Sequence, residues 1–235
     1  MNKLDAALIK ADYVKTVGDR IAWFNRVSAR LVGTSTELTD LNLLCENFVT
    51  SVYVEFECLI SDIFHAYINN DNRVWAAFVG SQIKNSVRDK YSAWHAHNLS
   101  FDAPVHIKSQ DLRRLLDPTN WNITFKDCAS LQQRATEWLG TSHATAFSSI
   151  SSSDIALIDA AHALRNCISH NSESSRRIVN SKLRAIITGL GCTNTELAIA
   201  GNNVKTLGKY LRAVTTTGLR ATDFAVRLSV IGGAL

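Results

Sequence analysis

Proline is almost missing from this chain. Only Pro104 and Pro118 occur in 235 residues, and proline is the residue that most reliably breaks a helix interior, so long helices can run on either side of the segment 97–126 that holds both. Long apolar runs are missing too. No charge-free stretch approaches the ~18 residues of a membrane span, and Asp5, Lys10 and Asp12 interrupt the amino-terminal region where a signal peptide would carry its apolar core. Cysteine is sparse and unpaired in pattern: Cys45, Cys58, Cys128, Cys167 and Cys192 are odd in number, widely spaced and form no C-x-x-C. That excludes a disulfide framework and fits free thiols in a reducing compartment. There is no glycine-rich phosphate loop, no H-E-x-x-H and no G-x-S-x-G. The expectation is a cytoplasmic protein without a membrane partner.

Helical periodicity is what the chain does have. Apolar residues recur with helical spacing over about 3–32, 37–69, 73–96, 127–139, 154–171, 174–190 and 203–230, with a short helix at 110–116 and a Ser/Thr-rich loop at 141–153. Gly33-Thr34-Ser35-Thr36 reads as a stop followed by an N-cap, Asn69-Asn70-Asp71-Asn72 as a second break, and Ser153-Asp154 as the N-cap of the helix after the loop. The fold class predicted is all-α. The chain is long and apolar enough to bury one core, so a single helical domain over 1–235 is expected, with its centre at about 37–190.

Charge is uneven along the chain. Residues 173–235 carry nine Lys and Arg against three Asp and Glu, whereas residues 1–172 carry sixteen against eighteen. Projected on one helix, Lys205, Lys209, Arg212, Arg220 and Arg227 fall within an arc of roughly 80°. Such a stripe can follow a phosphate backbone, which makes Lys205, Lys209 and Arg212 candidate RNA-binding residues. It is equally the pattern of a solvated face, and Gly208 or the run Thr215–Gly218 are places where the helix can break.

The chemistry-bearing residues concentrate in one helix, Asp159-Ala160-Ala161-His162-Ala163-Leu164-Arg165-Asn166-Cys167-Ile168-Ser169-His170-Asn171. Leu157, Ala161, Leu164 and Ile168 fall on one side; Asp159, His162, Asn166, Ser169 and His170 gather on the other, flanked by Arg165. Cys167 projects toward the apolar side, which argues for packing rather than a thiol-imidazole pair with His170. In the helix 37–69, Glu57 projects at one margin of an apolar arc that includes Tyr53, Phe56 and Phe64, while Glu55 and Asp62 lie beyond the other margin. A buried Glu57 needs a cation, and Arg165 and His170 are the candidates. An edge carboxylate in water is the alternative. His95 and His97, with His106 downstream, do not face each other at helical spacing and have no acidic neighbours, so no metal site is expected.

The spacing Arg165-Asn166-x-x-x-His170, late in an all-helical chain, resembles the Arg-x4-6-His motif of the HEPN superfamily. The helix carrying Tyr53-Val54-Glu55-Phe56-Glu57-Cys58-Leu59-Ile60 is similar to the acidic helix of its bacterial groups, in particular the RiboL-PSP type. The resemblance covers roughly residues 37–190 and fixes few positions. It implies a helical bundle that dimerises through the motif helices. It also implies a metal-independent endoribonuclease needing no cofactor, with Arg165, Asn166, His170 and Glu57 at the site, and a place in toxin or antiviral-defence biology with a neutralising antitoxin or defence-system partner.

The residue types suit that chemistry on their own terms. RNA carries its nucleophile in the 2′-hydroxyl, imidazole moves protons near neutrality, and guanidinium grips phosphate bidentately. Arg165 and His170 stand about 140° apart around the helix, so two copies facing across a two-fold axis would close a site that one copy leaves open. A non-catalytic helical module that binds RNA or a protein is the alternative. A histidine on a polar face and an arginine near a helix C-terminus are also ordinary surface residues.

Overall fold

The break after the first helix shows how local chemistry sets this architecture. In the computed structural model, α1 (Ala6–Leu31) ends where Gly33 takes a positive φ of 82°, a conformation a side chain would resist. The Gly33 N–H is then met by the Glu37 carboxylate at 2.7 Å, in the first turn of α2 (Glu37–Asn70). With neither proline nor glycine in its 34 residues, α2 spans about 50 Å.

The structure describes residues 3–102, 106–117, 122–186, 197–199 and 203–235; Pro104, Pro118, Cys192 and the predicted helix end at 187–190 lie outside them. The remaining helices are α3 (Arg73–Lys90), α4 (Ala93–Asn98), α5 (Ser109–Leu116), α6 (Cys128–Trp138), α7 (Thr141–Ser148), α8 (Ser152–His170), α9 (Glu173–Ala185), α10 (Leu207–Leu211) and α11 (Arg220–Ala234). Among the described residues there is no strand, only an isolated bridge between Val214 and Leu219. The protein is all-α. No helix among these residues is long and apolar enough to cross a membrane; Cys45, Cys128 and Cys167 are buried and Cys58 is half-buried.

The residues gather into two compact units. One comprises residues 1–7 and 61–149. Its centre is aromatic: Phe64 lies 5.4 Å from Phe125, 5.2 Å from Phe147 and 6.2 Å from Trp138, ring centre to ring centre. Asn69 and Asn70 tie the end of α2 to the Leu4 backbone, and Asn69 also donates to the Ile107 carbonyl at 3.1 Å. The other unit comprises residues 8–60 and 150–235. Phe24 stacks on Phe48 at 4.2 Å, and Leu157, Leu164, Leu183 and Phe224 are wholly buried.

Three predicted elements differ from the structure. The run 73–96 is two helices, because Tyr91 leaves helical geometry and Ser92 restarts it, its hydroxyl accepting from the His95 N–H. The expected loop 141–153 contains α7. Phe147, fully buried, anchors that helix, and Thr145 returns its hydroxyl to the Thr141 carbonyl instead of opposing the helix; burial outweighs the turn preference of serine and threonine. The expected helix 203–230 is split into α10 and α11. Between them Thr215 donates both its N–H and its hydroxyl to the Gly218 carbonyl, and Gly218 sits at a φ of 145°.

Gly208 lies against the α2 backbone. A methyl group built there would lie 2.5 Å from Asn42 Cβ and 2.8 Å from its Cα and carbonyl oxygen, so backbone would have to move. Gly18, exposed within α1, has nothing within 4 Å. Gly208→Ala is expected to destabilise by about 1–3 kcal/mol, whereas Gly18→Ala should stabilise by about 0.5–1 kcal/mol. Urea unfolding of both variants checks this; equal effects would mean the approach to Asn42 is loose.

Candidate functional site

Helix α8 is held at both ends. Ser151, rather than the expected Ser153, is the N-cap, accepting the Asp154 N–H at 3.2 Å. The helix stops at Asn171, which adopts left-handed geometry (φ 45°) and donates its N–H to the Cys167 carbonyl. Leu157, Ala160, Ala161, Leu164 and Cys167 are buried, at the spacing of one helix face. Cys167 is thus a packed thiol, as its projection indicates.

The polar side of α8 is tied to its neighbours by ion pairs. Asp154 receives Arg227 of α11, whose Nε lies at 2.8 Å. Asp159 receives Lys182 of α9 at 2.7 Å. Arg165 faces α2, its terminal nitrogen 3.7 Å from the Glu57 carboxylate, while its other terminal nitrogen donates to the Asn166 side-chain oxygen at 2.9 Å. One turn earlier on both helices, Tyr53 and His162 meet: hydroxyl to Nδ1 is 3.0 Å, with the rings edge to face at 5.7 Å.

Two polar rungs therefore join α2 to α8, Tyr53–His162 and Glu57–Arg165. Glu57 and Arg165 are brought together as a pair; Asn166 braces the guanidinium. His170 stands exposed at the last residue of α8. Tyr53 is the member that sequence reasoning assigned wholly to the apolar arc. Its position four residues before Glu57, matched by His162 three residues before Arg165, is the signal that would have found it. Glu55, expected on the polar margin, forms an ion pair with Arg20.

The basic stripe does not exist as one helix face. Lys205 precedes α10 and Lys209 lies within it, both exposed. Arg212 donates its Nε to the Asn42 side chain at 2.8 Å. Arg220 lies over the Tyr210 ring at 4.8 Å, and Arg227 belongs to Asp154. Three of the five cations are thus engaged in holding the fold. In the other unit, His95 shares a hydrogen bond with Ser92 at 2.9 Å, and among the described residues no group of three or more His, Cys, Asp or Glu is placed to hold a metal ion.

No family model, curated protein or solved structure matches this chain. A guanidinium anchored by a carboxylate and an amide, with a third of its side chain open to water, can hold a phosphate. An exposed imidazole can move a proton.

Glu57 carries a pH signature. Its side chain is 17% exposed, and burial raises its pKa above the ordinary 4.5, with Arg165 pulling less strongly the other way. The unfolded chain releases this proton at lower pH than the folded chain does. Stability contributed by Glu57 is therefore present at low pH and falls as pH rises above about 4.5. Arg165 reaches water and is not stranded by loss of its partner, so Glu57→Gln should match wild type near the bottom of this range and become the more stable protein toward neutrality. Chemical unfolding from acid to neutral pH checks it, and a wild type that gains on the variant as pH rises would show that Arg165 outweighs burial.

Proposed function

We propose that the protein is a metal-independent endoribonuclease of HEPN type, a homodimeric helical bundle joined through α8. The observation that carries this reading is the Arg165 guanidinium, aimed by Glu57 and Asn166 and partly open, less than two turns from an exposed His170. In the reaction, the imidazole takes the proton of a 2′-hydroxyl and that oxygen attacks the adjacent phosphorus. The P–O5′ bond breaks, the leaving oxygen takes a proton from water, and the imidazolium releases the proton it gained to solvent. Arg165 stabilises the charge on the pentacoordinate phosphorus. The products are a 2′,3′-cyclic phosphate and a 5′-hydroxyl. No cofactor enters this scheme. The resemblance supplies the biological setting, a toxin or defence effector restrained by a partner protein.

The angle of about 140° between Arg165 and His170 around α8 favours a site assembled from Arg165 of one copy and His170 of another. Ser169 and His170 are exposed at the end of the helix, and Arg165 and Asn166 are half-buried beside them. Exposed Lys205 and Lys209 suit contacts with the RNA backbone.

Cleavage in EDTA is the direct test. Wild type should cut RNA, leave cyclic-phosphate ends and fail when the scissile 2′-hydroxyl is methylated; His170→Ala and Arg165→Ala should each lose at least ~10²-fold in rate with helix content unchanged. A requirement for Mg²⁺, or 5′-phosphate ends, would overturn the mechanism. Affinity for RNA without cleavage would leave a binding module in its place.

A mixing experiment tests the shared site. If Arg165 and His170 act across the dimer, co-refolded Arg165→Ala and His170→Ala chains should recover about a quarter of wild-type activity, since half the dimers are mixed and one of two sites in each is complete. No recovery in a mixture shown to contain mixed dimers would place both groups in one chain.

A further inference from the structure

The unit that holds Arg165 also contains a cavity of about 290 Å³ that the cleavage chemistry leaves unused. It opens between the end of α8, the middle of α9, α2 and the segment leading into α10. Its apolar lining is Ile168, Val204 and Leu207, each half-buried, with Cys167 and Val179 fully buried. Two exposed cations border it, Arg176 and Lys205. Arg176 is aimed rather than loose: the Asn171 side-chain oxygen accepts from its Nε at 3.2 Å and from a terminal nitrogen at 2.7 Å.

One carboxylate lines the same space. Glu46 accepts the Gly208 N–H through Oε1 at 2.7 Å, which fixes the side chain while its second oxygen keeps acceptor capacity. Asn180, the other polar group well inside, has already committed its amide to the backbone: its oxygen accepts the Val204 N–H at 2.6 Å and its nitrogen donates to the Arg176 carbonyl at 2.9 Å. Glu46 is the one acceptor-only side chain in this lining.

Half-buried aliphatic side chains along the lining, an acceptor-only group and two cations at the border suit a ligand with a ring, N–H donors along one edge, and a phosphate. Among the nucleobases only guanine sets two N–H donors side by side, N1–H and the N2 amino group. Adenine offers an unprotonated N1 beside its amino group, cytosine an unprotonated N3, and uracil one N–H flanked by carbonyls that a carboxylate repels. We propose that this cavity binds a guanine nucleotide, with N1–H and N2–H donating to Glu46 and the phosphate held by Arg176 and Lys205. Asn171 directly follows His170, so the nucleotide has two sources: a guanosine of the RNA beside the scissile phosphate, or a free guanine nucleotide. In the first case the inference rests on the ribonuclease reading; in the second it stands without it.

Calorimetric titration of the full chain with GMP, AMP, CMP and UMP, in the absence of RNA, tests the proposal. GMP should bind about tenfold or more tighter than the others, and IMP, which lacks the N2 amino group, should bind several-fold more weakly than GMP, a comparison that leaves the protein unaltered. Glu46→Gln keeps an acceptor for Gly208 but replaces the other oxygen with a donor, and should abolish the preference. Arg176→Ala with Lys205→Ala should lower GMP affinity toward that of guanosine and keep the preference over AMP. Equal affinity for the four nucleotides, or no binding at millimolar concentration, overturns the proposal. Cleavage of RNAs that differ only by guanosine beside the cut then separates the sources: a wild-type preference lost in Glu46→Gln assigns the cavity to substrate, and GMP binding without such a preference assigns it to the free nucleotide. Because the titrations need no turnover, an inactive protein that binds GMP would refute the ribonuclease reading alone.

Discussion

The contact between Glu57 and Arg165 is the constraint around which the second unit is arranged. A largely buried carboxylate is disfavoured in its charged form, and burial raises the Glu57 pKa despite the guanidinium 3.7 Å away. Such a pair is a poor source of stability. Its effect is geometric: it holds a guanidinium at the surface of α8 with a third of the side chain still reaching solvent. Under the proposed reading, the desolvation of Glu57 is accepted in return for a cation already aimed before phosphate arrives.

The other charged groups of α8 have a different role. Asp154 and Asp159 take Arg227 and Lys182, binding the helix to α11 and α9. Together with the caps at Ser151 and Asn171, they fix its position while apolar burial of Leu157, Leu164 and Cys167 supplies the packing. A helix fixed in this way delivers its last turn, with His170 exposed, to a defined place. Asn171 continues the same logic by bending the chain in left-handed geometry and orienting Arg176 at the border of the neighbouring cavity.

Two chemically distinct features thus share the end of one helix. On one side lie Arg165, Asn166 and His170; on the other lies the cavity bordered by Cys167, Ile168, Glu46 and Arg176. That proximity arises because α8 is amphipathic in an uneven way, with Cys167 and Ile168 turned toward α9 and the segment before α10.

What the sequence determined by itself is the helical architecture and the amphipathic character of α2 and α8. Local spacing governs both: apolar residues at helical intervals, scarce proline, and a cap at Ser151 offset by two residues from the one expected. The placing of Glu57 near a cation was legible because a carboxylate at the margin of an apolar arc needs a partner. Which cation it meets, and that Tyr53 joins His162 one turn away, was decided only by how α2 and α8 cross. The basic stripe shows the same limit. Lys205, Lys209, Arg212, Arg220 and Arg227 align on an ideal helix, yet the Thr215–Gly218 turn divides that helix and Asn42, Tyr210 and Asp154 engage three of the five. Spacing along the chain fixes which side chains share a face, because the backbone repeats. Partners across the core depend on contacts between residues distant in sequence, such as Glu46 and Gly208, and these no local pattern encodes.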